Sequence, residues 1–252
     1  MGKTDLPIGI DIGGTGIKGA PVDLQKGAFA DDRLRIPTPD VSTPKAVLEV
    51  VDQIVQHFDN IKSSSPIGIT VPGVVKHGAV QTAANIDPSW IGFDAAAMFS
   101  KKLGRAVHLV NDADAAGVAE QHYGAARKTK GLVIVTTLGT GIGTALIYNG
   151  ALIPNSEFGH LEIDGRGAET VAAASAHERE ELSWQEWAER LQRYYSEMEK
   201  LFWPDLFVVG GGVSKQADKF LHLLDLRTDI VAAKLKNKAG IIGAAHLAAR
   251  EH

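Results

Sequence analysis

The chain has 252 residues, 44% hydrophobic and 22% charged, which suits one large or two small domains with proper cores. A net charge of −4 is too mild to argue for nucleic acid or a membrane surface, and the absence of cysteine excludes disulfides and thiolate metal sites. A reducing compartment fits, no signal-peptide pattern opens the chain, and no apolar run is long enough to span a bilayer, so a soluble cytoplasmic protein is expected.

In chain order, Ile8, Ile10 and Ile12 alternate with Gly9 and Asp11, which predicts a short strand with one buried face. Gly13, Gly14, Thr15 and Gly16 form a glycine turn, and residues 17–22 read as a returning strand. Residues 31–40 are polar and extended. Thr43 as N-cap and Pro44 at the first helical position start a helix whose apolar face is Val47, Val50, Val51, Ile54, Val55 and Phe58. A strand over 67–71 is ended by Pro72 and Gly73, a helix over 95–103 by Gly104, and a strand over 106–110 carries Asn111 and Asp112 at its carboxyl end. An alanine-rich helix follows over 113–122.

Residues 132–138 and 144–148 are strands joined by a second glycine turn, Gly139, Thr140, Gly141, Ile142 and Gly143, and Asn149-Gly150 is a hairpin signal. Strand, glycine hairpin and strand thus occur twice, and two similar halves facing a cleft is the economical arrangement. A long helix over 183–202 has the apolar face Trp187, Leu191, Tyr194, Tyr195 and Met198, most simply a core face. Pro204 ends it, a strand over 206–209 runs into Gly210, Gly211 and Gly212, and a small-residue helix over 240–249 closes the chain.

The glycine turn at 13–16 can bring backbone N–H groups close to an anion, with Asp11 at the strand end to hold Mg2+ directly or through water and Lys18 as a second source of charge for phosphate. It is neither a Walker loop nor a dinucleotide fingerprint, and by itself it is equally an ordinary hairpin. The turn at 139–143 is weak alone; paired with the first it can clamp a chain of phosphates. Asp112, beyond the end of a buried strand, can act as a general base or can simply cap the helix that follows, with Asp114 a rival acid. Glu157, His160 and Glu162 crowd two carboxylates and an imidazole into six residues. That spacing fits sugar hydroxyls better than a metal motif. Gly210, Gly211 and Gly212 either let the backbone pass close to adenine or make a tight turn. The basic residues Arg127, Lys128, Lys130, Lys215, Lys234, Lys236 and Lys238 are either solvated surface or a polyanion groove.

Together these motifs resemble the ROK family of sugar kinases, within the actin-like ATPase superfamily, over most of the chain. The resemblance implies an α/β, two-lobed, ribonuclease H-like fold with a central cleft: an N-terminal lobe of 1–112 joined by the helix 239–252, and a C-terminal lobe of 113–238. Residues 8–20 and 136–145 match the two phosphate motifs and 206–214 the adenosine motif. Asp112 is implied to be the base that deprotonates a sugar 6-hydroxyl, with Gly73, Asn85, Asn111, Glu157, His160 and Glu169 at the sugar. Residues 165–169 replace the segment where the family has its zinc cysteines, so no zinc site is expected.

Within the family, residues 83–90, 111–117, 138–143, 157–162 and 203–207 are similar to a cysteine-free actinobacterial branch. That branch phosphorylates glucose, and in part mannose, with inorganic polyphosphate and ATP. A homodimer is implied, with the helix 183–202 as one contributor. An ATP-only kinase for another hexose or an N-acetylated sugar is the alternative. A sugar-responsive repressor is disfavoured, because the first strand begins by Ile8 and leaves no room for a preceding helix-turn-helix.

Overall fold

The computed structural model describes residues 3–83 and 86–250. Two compact units form, Met1–Ala119 with Lys238–His252, and Glu120–Asn237. Among the described residues no helix is long and apolar enough to cross a membrane.

Unit 1 is built on the hairpin β1 (Ile8–Gly13) and β2 (Gly16–Asp23). Two short strands, β3 (Ala28–Phe29) and β4 (Leu34–Ile36), pair with β2. On the other side β5 (Ile67–Val71) runs parallel to β1. A small hairpin, β6 (Val75–Lys76) and β7 (Ala79–Val80), follows, and β8 (Val107–Asn111) lies parallel to β5.

The helix α1 (Pro44–His57) starts where capping chemistry predicts, with Thr43 Oγ1 accepting from Ala46 N–H. Its face Val47, Val51 and Ile54 is fully buried against Ile8, Ile10 and Ile12. The helix α2 (Ala95–Leu103) ends at Gly104 with φ +61°, a left-handed cap that glycine adopts without steric cost.

The one-buried-face expectation for β1 needs correction, because both faces are covered. The helix α7 (Ala239–Arg250) lies against the side that carries Gly9 and, on β5, Gly68. A Cβ on Gly9 would stand 1.9 Å from the Ile241 carbonyl oxygen, and one on Gly68 1.9 Å from that of Ala244. The helix α3 (Asp112–Tyr123) meets α7 the same way: a Cβ on Gly243 would lie 1.7 Å from the Ala115 oxygen. Helix and strands touch backbone to backbone.

Unit 2 repeats the plan. The hairpin β9 (Leu132–Leu138) and β10 (Ile142–Tyr148) carries β11 (Ala151–Ile153) on its outer edge. A two-stranded hairpin, β12 (Glu162–Ile163) and β13 (Arg166–Gly167), precedes two short helices, α4 (Ala168–Ala172) and α5 (Ala174–Arg179). The parallel strands β14 (Leu206–Gly210) and β15 (Ile230–Ala232) complete the main sheet beside β9. The sheet orders β3-β2-β1-β5-β8 and β11-β10-β9-β14-β15 have the same pattern of antiparallel and parallel pairing.

The long helix α6 (Trp184–Phe202) opens on a full capping box between Ser183 and Glu186. Trp187, Leu191, Tyr194, Tyr195 and Met198 are all buried in the core of unit 2, as a core face requires. Burial lifts the Tyr195 phenol above its ordinary value, and its hydroxyl lies 2.6 Å from Thr136 Oγ1. Glu120 is a buried carboxylate satisfied by backbone donors: Ala125 N–H at 2.7 Å, Leu235 N–H at 2.7 Å and Lys234 N–H at 3.1 Å.

The backbone contact at α7 sets a stability test. Gly68→Ala should lower stability by about 1–3 kcal/mol, the usual cost of forcing a methyl into a filled core. Gly14→Ala, with nothing within 4 Å of the added carbon, should leave stability unchanged. Urea denaturation of both variants checks the contrast.

Candidate active site

In unit 1, β8 delivers Asn111 to the start of α3. Asn111 is the helix cap: its Oδ1 accepts from Ala113 N–H at 2.8 Å and from Asp114 N–H at 3.1 Å. Its Nδ2 donates to the Gly73 carbonyl at 3.2 Å. Gly73 is held in turn, since a Cβ there would lie 2.3 Å from the Thr82 oxygen. With capping done by Asn111, Asp112 occupies the first helical position, where its Oδ1 accepts from Ala113 N–H at 2.9 Å. An anion at a helix N-terminus is favoured by about 0.3–1 kcal/mol. Asn85 lies outside the described residues.

The first glycine turn sits between β1 and β2. Gly13, Gly14 and Gly16 do not have positive φ, so left-handed conformation is not what selects glycine here. Gly14 has open space above it, and the missing side chain bares the backbone. The register places four polar residues in one row across the sheet: Thr70 on β5, Asp11 on β1, Lys18 on β2 and Arg35 on β4. Asp11 is about three-quarters buried; its Oδ1 accepts from the Thr70 hydroxyl at 2.8 Å and its Oδ2 lies 3.4 Å from Lys18 Nζ. Gly240, at the start of α7, leaves room beside the same carboxylate.

Two residues missed by sequence reading brace this turn. Thr38 Oγ1 donates to the Gly13 carbonyl, and Arg35 donates to the Thr15 carbonyl at 2.7 Å. Both come from the stretch 31–40, read as a featureless extension. Its signal is the pairing of β4 with β2, which periodicity does not report.

In unit 2, Gly139 and Thr140 form the tip of the second turn, and a Cβ on Gly139 would meet nothing within 4 Å. Ile142 and Gly143, assigned to the turn by sequence, belong to β10 and pair with Leu138 and Thr137. Ser175, also missed, fixes the tip, its hydroxyl donating to Thr140 O at 2.6 Å and its N–H to Gly139 O at 3.0 Å. Gly141 makes room for Glu169, whose Oε2 would lie 2.3 Å from a Cβ there and accepts from Ile142 N–H at 3.1 Å.

The segment 156–160 is laid onto β10 by Thr144, which donates to Ser156 O and accepts from Phe158 N–H. Gly159 permits it, since a Cβ there would stand 2.2 Å from the Ile142 oxygen. The structure therefore brings Glu157, His160 and Glu169 together. The His160 ring has Nε2 3.4 Å from Glu169 and Nδ1 4.0 Å from Glu157. Burial, joined by the nearby Glu169 charge, raises the Glu157 pKa, with His160 pulling the other way. Glu162, sequence-adjacent, is exposed on β12 and lies outside this cluster of contacts. Gly211, at φ +83°, turns β14 into a run of 3-10 helix, and Gly212 is open above. Lys215, Lys234, Lys236 and Lys238 are exposed. Among the described residues no group of three or more His, Asp or Glu side chains could hold a metal ion by itself.

The model of the ROK family matches residues 7–176. A polyphosphate glucokinase of Mycobacterium tuberculosis is 50% identical over 238 residues, 94% of this chain and 89% of its own. The crystal structure of an inorganic polyphosphate/ATP-glucomannokinase from Arthrobacter sp. strain KM matches with a TM-score of 0.94 and 53% identity, covering 99% of this chain and 100% of that one. A ROK family glucokinase from Streptomyces griseus, in complex with glucose and AMPPNP, matches with a TM-score of 0.83 at 25% identity, covering 97% and 99%.

The Glu157 environment has a sign that stability reads. A raised folded-state pKa means that the folded chain holds the proton more tightly than the unfolded one. That stabilisation is present below the unfolded value near 4.5 and lost as pH rises through the folded one. Glu157→Gln should therefore be more stable than the parent at pH 7, with the difference shrinking as pH falls through the raised folded-state value and gone below the unfolded value near 4.5. Urea midpoints across that range check it.

Proposed function

The chain belongs to the ROK family, and on that premise we propose that it transfers a phosphoryl group from inorganic polyphosphate, and from ATP, to the 6-hydroxyl of glucose. It has the actin-like ATPase fold of the sugar kinases it matches. The observation that carries the chemical assignment is the division of labour at the start of α3. Asn111 caps the helix through two backbone N–H groups, and the Asp112 carboxylate stands at the first helical position with its Oδ1 accepting from Ala113 N–H, where proton transfer is assigned to it.

In the reaction the sugar 6-oxygen attacks the terminal phosphorus of the donor. The new O–P bond forms as the bridging P–O bond breaks, and the donor leaves shortened by one phosphate. Phosphoryl transfer asks the protein mainly to position the groups and balance charge. Asp112 accepts the hydroxyl proton. Gly73, Asn111, Glu157, His160 and Glu169 are assigned to the sugar hydroxyls, which need acceptors and donors fixed in place. Asn85 is assigned to the sugar on the family resemblance alone.

The turn Gly13, Gly14, Thr15 and Gly16, and the turn Gly139, Thr140 and Gly141 with Gly143 on β10, are assigned to the donor phosphates together with Lys18. Gly210, Gly211 and Gly212 are assigned to the nucleotide when ATP is the donor. Lys215, Lys234 and Lys236 form the candidate track for a long polyanion.

Mg2+ fits Asp11. The ion typically takes one or two carboxylates and completes its shell with substrate phosphates and water, and Asp11 offers one fixed carboxylate beside the turn. When bound, the ion supplies positive charge to the transferring phosphate. Acceptance of mannose, a homodimer and a cytoplasmic location complete the reading.

Initial rates of glucose 6-phosphate formation with long-chain polyphosphate and with ATP, each with Mg2+, test it. Both donors should support turnover. ATP alone would overturn the polyphosphate assignment, and neither would overturn the kinase reading. Asp112→Asn should lower kcat about 10²–10⁴-fold, the usual contribution of a general base, with little change in the KM for glucose. Wild-type turnover in that variant would remove Asp112 from the role.

A further inference from the structure

We propose that Arg35 forms an anion subsite beside the first glycine turn and holds the phosphate chain of the donor. The inference rests on the polyphosphate reading above for the identity of the anion, and on geometry for the site.

Arg35 and Lys18 stand directly opposite each other in the antiparallel pairing of β4 with β2. Like charges in that relation are destabilising, and a sheet keeps them together where something negative lies across both. Asp11 supplies one negative charge on the far side of Lys18 and already shares its oxygens with Lys18 and Thr70. One carboxylate therefore faces two cations, and it is adjacent to only one of them in the row.

The guanidinium is placed rather than loose. It donates to the Thr15 carbonyl at 2.7 Å and lies over Gly16, where a Cβ would come within 2.7 Å of its Nε. The absence of a side chain at Gly16 gives the guanidinium its room there. Lys18 Nζ lies against Gly13 at the other end of the same turn, 4.0 Å from where a Cβ would be. Two cations bracket a turn whose tip, Gly14, has open space above it.

Arg35 is exposed and has five N–H donors in a planar fork, a shape suited to phosphate oxygens. Neighbouring strands are about 4.8 Å apart, so the two cations, Lys18 on β2 and Arg35 on β4, leave the sheet one strand spacing from each other, within reach of a single phosphate chain.

The test is equilibrium binding of tripolyphosphate by calorimetry, with glucose binding measured on the same samples. Arg35→Ala should weaken tripolyphosphate about ten- to hundredfold, the worth of a charge-assisted hydrogen bond, and leave glucose binding unchanged. Arg35→Lys keeps the charge without the fork, and Arg35→Gln keeps a donor for Thr15 O without the charge. Recovery by Lys but not by Gln supports the subsite. Recovery by Gln but not by Lys, unchanged affinity in Arg35→Ala, or an equal loss of glucose binding would overturn it in favour of a brace for the turn. Glucose phosphorylation by the parent protein tests the functional reading separately. Binding through Arg35 without turnover would leave the subsite standing and remove the kinase assignment.

Discussion

The architecture of unit 1 depends on how closely α7 lies to the sheet. At Gly9 and Gly68 the helix carbonyls occupy the place where side chains would be, and at Gly243 the same holds between α7 and α3. Dispersion contacts of this kind are individually small and collectively large, and a gap of about an ångström forfeits roughly half of each. The close approach covers the second face of β1 and β5 with helix backbone and, at Gly9, the Ile241 side chain. It also brings Gly240 beside Asp11, at the end of a row of polar residues that the strand register lines up. Candidate chemistry and core packing share one face of one sheet.

Unit 2 uses missing side chains for a different purpose. Gly159 lets the 156–160 segment lie against the Ile142 carbonyl of the β9–β10 hairpin, Gly141 lets the Glu169 carboxylate approach the same hairpin, and Glu157 and Glu169 flank the His160 imidazole. Burial works against the charge on Glu157, and the imidazole works for it. A carboxylate shifted in this way beside a histidine marks a candidate functional site.

Much of this was legible in the sequence because the physics is local. Thr43-Pro44 marks a helix start whatever the rest of the chain does, and Gly104 marks an end. The two strand–glycine–strand segments announce the internal repeat, and the aromatic spacing in 184–202 announces a buried face. Asp112 drew attention by its place beyond the end of an apolar strand, and Glu157 and His160 by the crowding of polar groups in six residues, whereas Glu169 came only from the family resemblance and Glu162 lies outside the contacts around His160. What was hidden is non-local. The role of Asn111 as the cap depends on where β8 stops, and the second covered face of β1 on a helix more than 200 residues away. Arg35, Thr38 and Ser175 act through strand pairing and backbone oxygens, which leave no periodicity to read.

The place of α7 in the chain also orders its synthesis. Unit 2 is one continuous stretch, whereas unit 1 is begun by residues before Glu120 and finished by residues from Lys238 onward. Translation therefore completes the second unit while the sheet of the first still shows bare glycine on β1 and β5. Domains tend to fold as they emerge, amino-terminal part first. Here that order is interrupted, because the helix that covers the first unit's sheet emerges only after the whole of unit 2.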